Sequence, residues 1–382
     1  MQNRKKIKVF IIAGEVSGDI LGAKIMRELP DADFIGVGGE NMVAAGLNSL
    51  FPMSDLAVMG IIEVVAHAGT LTRRISQTVR AIIASRPDVV LTIDSPGFAK
   101  SVVEKLRKNS DGKKLIADGL RFHHVVAPQV WAWRSGRAKK YAQIFDKLYA
   151  FFDFEVPYFT KYGLDTVAVG HPIADGLIGY QSKHKKINNE KVIAIIPGSR
   201  MSEVKRLMPL FQDVVGQLVA NGYNDYRFVI PTVETTDGFI REHVKRWGVQ
   251  PEIIPSKSRY DLYAQTYIAI AASGTVSAEL AMLHVPSVIV YKMNPVTVWL
   301  ARHLLQVKWV SLVNILLNRS VYPECLGPNA TTENILDNVR QLSIPSVREN
   351  MISGLKSADN LWRRPNGAPA ALIAQSVRNS VK

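Results

Sequence analysis

Residues 192–204 read VIAIIPGSRMSEV: an apolar run, Val192–Ile196, breaks at Pro197-Gly198-Ser199-Arg200 and gives way to a helical pattern. A short, wholly apolar run closed by a glycine turn reads as a buried strand. The helix that follows offers free backbone N–H groups at its start, where an anion is favoured. Backbone amides, the Ser199 hydroxyl and the Arg200 guanidinium could therefore converge on a diphosphate. This is not a Walker A loop, because no Gly-Lys-Ser/Thr follows at the required spacing. Further on, Ala271-Ala272-Ser273-Gly274-Thr275-Val276-Ser277-Ala278-Glu279 repeats the strand, small-residue turn and helix. Glu279 falls about one helical turn after Thr275, where its carboxylate could accept hydrogen bonds from vicinal ribose hydroxyls. It could equally be an acid favoured by the helix dipole.

Working outward, strand-like runs at Arg227–Pro231, Pro251–Ile254, Tyr267–Ala271 and Ser287–Val290 complete a second βα series. A first series opens with Lys8–Ala13, a helix over Asp19–Leu29 and a strand at Phe34–Val37. It continues through a helix at Thr72–Ser85 and strands at Val89–Ile93, Leu115–Ile116 and Val125–Val126. Such alternation is solved economically by a parallel sheet with helices on both faces. A polar, basic stretch at Tyr180–Lys191 separates the series. The expected organisation is an α/β chain of two Rossmann-like domains, residues 1–178 and 188–345, followed by a helical tail, 346–382, packed on the first domain or on a partner chain.

Two motifs of the first domain also sit at strand ends. Ala13-Gly14-Glu15-Val16-Ser17-Gly18-Asp19 either faces an anion or makes a tight βα turn with a polar cap. In Leu91-Thr92-Ile93-Asp94-Ser95-Pro96-Gly97-Phe98 the strand ends in a carboxylate, where open α/β sheets collect ligands. Asp94 is a candidate general base or a turn aspartate. A dinucleotide fingerprint is absent: Gly36-Val37-Gly38-Gly39-Glu40-Asn41 has Asn41 in place of the last glycine and follows the second strand. Asp31-Ala32-Asp33 matches a metal-binding D-x-D by chance, in a short loop, and no metal or cofactor is expected. Trp131-Ala132-Trp133-Arg134, followed by Arg137, Lys139 and Lys140, reads as packing aromatics beside a solvated basic helix rather than a nucleic-acid surface.

Composition sets the remaining bounds. The 382 residues suffice for two or three domains, and 47% apolar content with 21% charge supports a sizeable core. Forty-seven basic against 33 acidic residues give +14, of which +9 lies beyond residue 175. That balance favours anionic partners. The single Cys325 excludes an internal disulfide, a CxxC redox pair and a cysteine zinc site, which fits a reducing cytoplasm. The apolar run after Lys8 is too short for an export signal. Charges interrupt Leu56–Gly69 and Val296–Leu317, so neither should cross a bilayer.

Taken in order, AGEVSGD (13–19), LAVMGIIEV (56–64), Ile93-Asp94-Ser95-Pro96, VVAPQVWAWR (125–134), GHP (170–172), PGSRMSEV (197–204), ASGTVSAEL (272–280) and VSLVN (310–314) resemble the lipid-A-disaccharide synthase family over nearly the whole chain. The resemblance implies a GT-B glycosyltransferase of two facing Rossmann-like domains, the first for the acceptor and the second for the donor. The implied reaction is inverting transfer from UDP-2,3-diacylglucosamine to the 6-hydroxyl of 2,3-diacylglucosamine 1-phosphate, giving the β(1→6) disaccharide and UDP. Asp94 would then match the family's base and Arg200 its essential arginine. Gly198, Ser199, Ser273, Gly274, Thr275 and Glu279 would hold the nucleotide, and Gly14, Glu15, Ser17, Met59, Glu63 and Asn314 the acceptor or interdomain cleft. Gly97 stands where the family often has a second carboxylate, which leaves Asp94 as the base. The resemblance also implies a homodimer, peripheral on the cytoplasmic face of an anionic inner membrane, with Leu56–Val65 and Val296–Leu317 reaching the acyl chains. An alternative enzyme with the same architecture is a UDP-N-acetylglucosamine 2-epimerase.

Overall fold

The computed structural model describes residues 6–56, 68–132, 136–183, 191–292 and 308–381. The chain forms two compact units: Met1–Pro172 with Arg363–Lys382, and Ile173–Trp362. Each is built on one parallel six-stranded sheet.

The first sheet contains β1 (Ile7–Ala13), β2 (Ala32–Val37), β3 (Val89–Ile93), β4 (Arg121–Val125), β5 (Lys147–Ala150) and β6 (Asp165–Ala168). Their spatial order is β2-β1-β3-β4-β5-β6. The second contains β7 (Val192–Ile196), β8 (Arg227–Thr232), β9 (Glu252–Pro255), β10 (Thr266–Ala272), β11 (Ser287–Tyr291) and β12 (Glu324–Leu326), ordered β12-β11-β10-β7-β8-β9. The central strands β1, β3, β7 and β10 are almost wholly buried, as expected for a sheet covered by helices on both faces.

Both sheets reverse direction once. From β1 the chain steps outward to β2, then returns to lay β3 on the other side of β1, and β7 stands in the same relation to β8 and β10. In open α/β sheets such a reversal leaves a crevice beyond the carboxyl ends of the two flanking strands. In this protein those ends carry Gly14 and Asp94 in the first unit, and Gly198 and Ser273 in the second.

One expected strand is a helix instead. Leu115–Ile116 lies in the helix Ser110–Ala117, whose cap, Asn109, accepts hydrogen bonds from the Asp111 and Gly112 amides at 2.9 and 3.1 Å. Two apolar residues alone cannot distinguish strand from helix, and the cap decides it.

The helices after Pro345 divide between the units. Pro345–Lys356 belongs to the second, while Pro369–Asn379 packs in the first unit's core with Val9, Ile11, Ile25 and Leu29. Ile373 and Val377 are fully buried there. We therefore expect Ile373→Ala to lower the stability of the first unit by about 2–4 kcal/mol, the usual cost of a buried truncation. Urea unfolding should show the drop, while Gln375→Ala, on the exposed face of the same helix, stays within about 0.5 kcal/mol of wild type.

Candidate functional site

In the first unit β1 and β3 are in register, Ala13 beside Ile93, so the turns that follow them meet. A Cβ placed on Gly14 would lie 1.9 Å from Ser95 Oγ, which is why this position is glycine. The helix Val16–Glu28 starts at the crevice without a side-chain cap. At its start Glu15 is half-buried and Ser17 exposed, and a Cβ on Gly18 would lie 3.4 Å from the carbonyl oxygen of Ile93, the residue before Asp94. Asp19 belongs to the same motif but serves the fold. Its buried carboxylate accepts from Gly39 N, Met42 N and both nitrogens of Asn41 at 2.8–3.0 Å, and so caps the helix Glu40–Ala44.

Asp94 and Ser95 both adopt left-handed backbone, φ 55° and 46°, and Val126 at the neighbouring strand end has φ 80°. Strain of this kind costs of order 1–3 kcal/mol per residue and gathers at functional sites. Here the ladder holds it in place: Asp94 N donates to Val125 O at 3.1 Å and Val126 N to Tyr149 O at 3.0 Å. Burial raises the Asp94 carboxyl above its ordinary range, against the opposing pull of the Ser95 N–H bonded to it at 2.8 Å.

Two residues back on the strand, Thr92 Oγ1 lies 2.7 Å from His124 Nδ1 and 3.2 Å from His123 O. The direction of the Thr92–His124 bond follows the tautomer of the ring, since the one hydroxyl proton can serve either His123 O or Nδ1. Burial pushes His124 down to about 3, so the ring is neutral. Its Nε2 and the hydroxyl of Tyr141, whose rings stand 5.4 Å apart, are buried without a hydrogen-bond partner among the described residues.

Trp131 is a packing residue: its Nε1 donates to Glu155 Oε1 at 3.3 Å and its ring meets Phe154 edge-on. Met59, Glu63, Trp133 and Arg134 lie outside the described residues, as do most of the two apolar segments assigned to acyl chains.

In the second unit β7 and β10 pair, Ile196 beside Ala271. Gly198 has φ 99°, and a Cβ there would lie 2.8 Å from Glu203 Oε2 and 3.6 Å from the Ala272 Cβ. The structure thus brings the Gly198-Ser199-Arg200 turn against the Ser273-Gly274-Thr275 turn. Their helices, Met201–Ala220 and Thr275–Met282, both begin without a side-chain cap, so two sets of free amides and two positive dipole ends stand side by side. Arg200, its side chain 65% exposed, donates to Glu203 Oε1 at 3.0 Å. Glu279 is only 7% exposed and is gripped by Arg259 and Tyr260. Sequence reasoning missed Glu203, Arg259 and Tyr260. The signal for Glu203 was its i+3 spacing from Arg200, but no local spacing points to the other two.

Asn314 is fully buried. Its Nδ2 donates to Tyr322 O and Glu324 Oε1, and its Oδ1 accepts from Val321 N and Tyr322 N, all at 2.7–2.9 Å. An amide makes four such bonds, so none remains for a substrate, and its role is to tie the helix Leu312–Leu317 to β12. Among the described residues no group of three His, Cys, Asp or Glu side chains could hold a metal ion.

The family profile described as lipid-A-disaccharide synthetase matches residues 9–353. The chain belongs to that family. It is 38% identical to lipid-A-disaccharide synthase of Rhodospirillum centenum, covering 99% of this chain and 95% of the relative. It is 37% identical to that of Gluconobacter oxydans, covering 97% and 89%. Among solved structures it resembles a UDP-GlcNAc 2-epimerase from Neisseria meningitidis bound to UDP-GlcNAc, with TM-score 0.64, 14% identity and coverage of 98% and 100%. It also resembles a spinosyn rhamnosyltransferase complexed with thymidine diphosphate, with TM-score 0.56, 12% identity and coverage of 97% and 100%. These two likenesses show the shared GT-B architecture, and the family membership makes the chain an inverting hexosyltransferase of lipid A synthesis.

The contact at Gly14 gives a direct test. Gly14→Ala should destabilise the first unit by about 1–3 kcal/mol, the range of an overpacked core, and suppress UDP release. Adding Ser95→Gly removes the clashing atoms and suits φ 46°, so the double variant should recover stability in a thermal melt.

Proposed function

We propose that Asp94 is the general base and Arg200 the leaving-group cation of the transfer from UDP-2,3-diacylglucosamine to 2,3-diacylglucosamine 1-phosphate. Asp94 takes the proton of the acceptor 6-hydroxyl as that oxygen attacks the anomeric carbon opposite the diphosphate. The new C–O bond forms, the bond to the diphosphate breaks with its electron pair leaving on UDP, and configuration inverts. The first unit is assigned the acceptor, with Gly14, Glu15, Ser17, Met59 and Glu63 near it. The second is assigned the donor, with Gly198, Ser199, Ser273, Gly274 and Thr275 around the diphosphate and Glu279 on the ribose.

The single observation that supports this most is the pair of uncapped helix starts beside Arg200 at the β7–β10 reversal. Charge on the departing diphosphate grows in the transition state, so fixed amide dipoles and a cation aimed there stabilise it more than the ground state. Asp94 lies at the matching reversal in the other sheet, and burial raises its carboxyl above the ordinary range, which makes it a better proton acceptor.

Because both substrates are acylated, the reading includes work at an anionic bilayer. No helix among the described residues is long and apolar enough to cross one. The +14 charge and the exposed apolar Val16, Ile20 and Val43 support peripheral contact. The resemblance further implies a homodimer, for which sedimentation is the measurement.

Asp94→Asn keeps a residue type that tolerates left-handed backbone, so the variant should fold. UDP release should fall by about 10²–10⁴-fold in kcat, with donor KM changed only a few-fold. The wild-type rate rises with pH as Asp94 ionises, and its acid limb should sit above the ordinary aspartate value of 3.8, in the direction burial moves it. That limb should vanish in Asp94→Asn; near-normal turnover in the variant would rule out Asp94 as the base.

A further inference from the structure

The carboxylate assigned to ribose is already partly occupied. Glu279 Oε1 accepts from Arg259 Nη2 at 3.1 Å and from the Tyr260 hydroxyl at 3.0 Å, while Oε2 accepts, among the described residues, only from Arg259 Nε at 3.1 Å. The network closes on itself. Arg259 Nη2 also donates to the Tyr260 oxygen at 2.8 Å, Arg259 Nη1 donates to Ser256 O at 3.1 Å, and the guanidinium lies 4.3 Å from the Tyr260 ring centre.

An ionised carboxylate offers about four lone-pair positions. Three are filled here, and the open one is on Oε2. The planar guanidinium cannot swing aside without leaving a mostly buried charge unpaired, since the Glu279 side chain is only 10% exposed. The phenol also holds its place: burial and then the Glu279 charge push Tyr260 up to about 12, so it stays a hydrogen-bond donor at neutral pH.

We propose that Arg259 and Tyr260 are positioning residues that lock Glu279 so that Oε2 accepts a single ribose hydroxyl, making the site read one of the two vicinal hydroxyls. The inference rests on the UDP-sugar assignment above. For the second hydroxyl to engage, it would have to take the Oε1 position that Tyr260 holds.

The test is calorimetric titration of the full chain with UDP, 2′-deoxy-UDP and 3′-deoxy-UDP. In wild type one deoxy analogue should bind roughly 10–100-fold more weakly than UDP, the range for a hydrogen bond to a charged group, while the other stays within about 2-fold. Arg259→Met should bind UDP less tightly and no longer separate the two analogues. Tyr260→Phe keeps the ion pair, and so reads the proposal even where Arg259→Met unfolds. Its vacated Oε1 position should make binding sensitive to both hydroxyls.

Equal losses for both analogues in wild type, no loss for either, or a folded Arg259→Met that still discriminates would each overturn the proposal. So would Tyr260→Phe with the wild-type pattern. Failure of wild type to bind UDP at all would instead remove the donor-site assignment and this inference with it. UDP binding without discrimination removes the inference alone.

Discussion

Parallel pairing is the constraint on which the rest depends. When all strands of a sheet run one way, every carboxyl end falls on the same edge, and so does the N-terminus of each helix that follows. A single reversal of strand order then parts two adjacent turns and leaves their backbone groups facing a crevice. Both sheets obey this rule, but they fill the crevice differently. At β1–β3 the residue after Asp94, Ser95, packs against Gly14, which has no room for a side chain. At β7–β10 they bring two uncapped helix starts and an arginine. Under the proposed assignment one edge takes a proton and the other receives negative charge, although the scaffolds share one topology.

The edge that carries Asp94 gives up stability that neighbouring structure recovers. Asp94, Ser95 and Val126 sit in left-handed backbone without being glycine, and His124 Nε2 and the Tyr141 hydroxyl are buried without partners. An orphaned buried polar group costs about 1–3 kcal/mol. Residues that serve only the fold look different: Asp19 and Asn314 each make four hydrogen bonds. Equal burial thus hides different hydrogen bonding: Asn314 and His124 are both fully buried, but only Asn314 has every polar atom partnered among the described residues.

This division explains what the sequence could and could not reveal. The strands β1, β3, β7 and β10 are legible because each is a continuous apolar run broken by small residues, and both features act locally. The strands β5 and β6, four residues each with Lys147 and Asp165 at their starts, carry too little pattern to stand out. Leu115 and Ile116 mislead because their helix is decided by Asn109, six residues earlier. Asn314 keeps the company of a motif, yet its partners, Val321, Tyr322 and Glu324, become neighbours only when the helix and β12 meet. Arg259 and Tyr260 lie about twenty residues from Glu279 in the chain and meet it across the β10 edge, a distance over which spacing carries no signal.

The second unit's two arginines show how burial assigns roles to the same chemistry. Arg200 and Arg259 each pair with a glutamate near a helix start. The Arg200 pair is a single contact whose arginine end is 65% exposed, and ion pairs open to water are worth about 0–1 kcal/mol. Glu203 can therefore orient Arg200 without holding it back from the diphosphate of the proposed donor. The Arg259 pair is bidentate, stacked and largely out of water, where removing one partner strands a charge. A guanidinium so held cannot be spared for a ligand, and its effect on one must pass through Glu279. In the proposed donor site the exposed arginine thus meets substrate charge, while the buried one shapes the carboxylate that accepts from a hydroxyl.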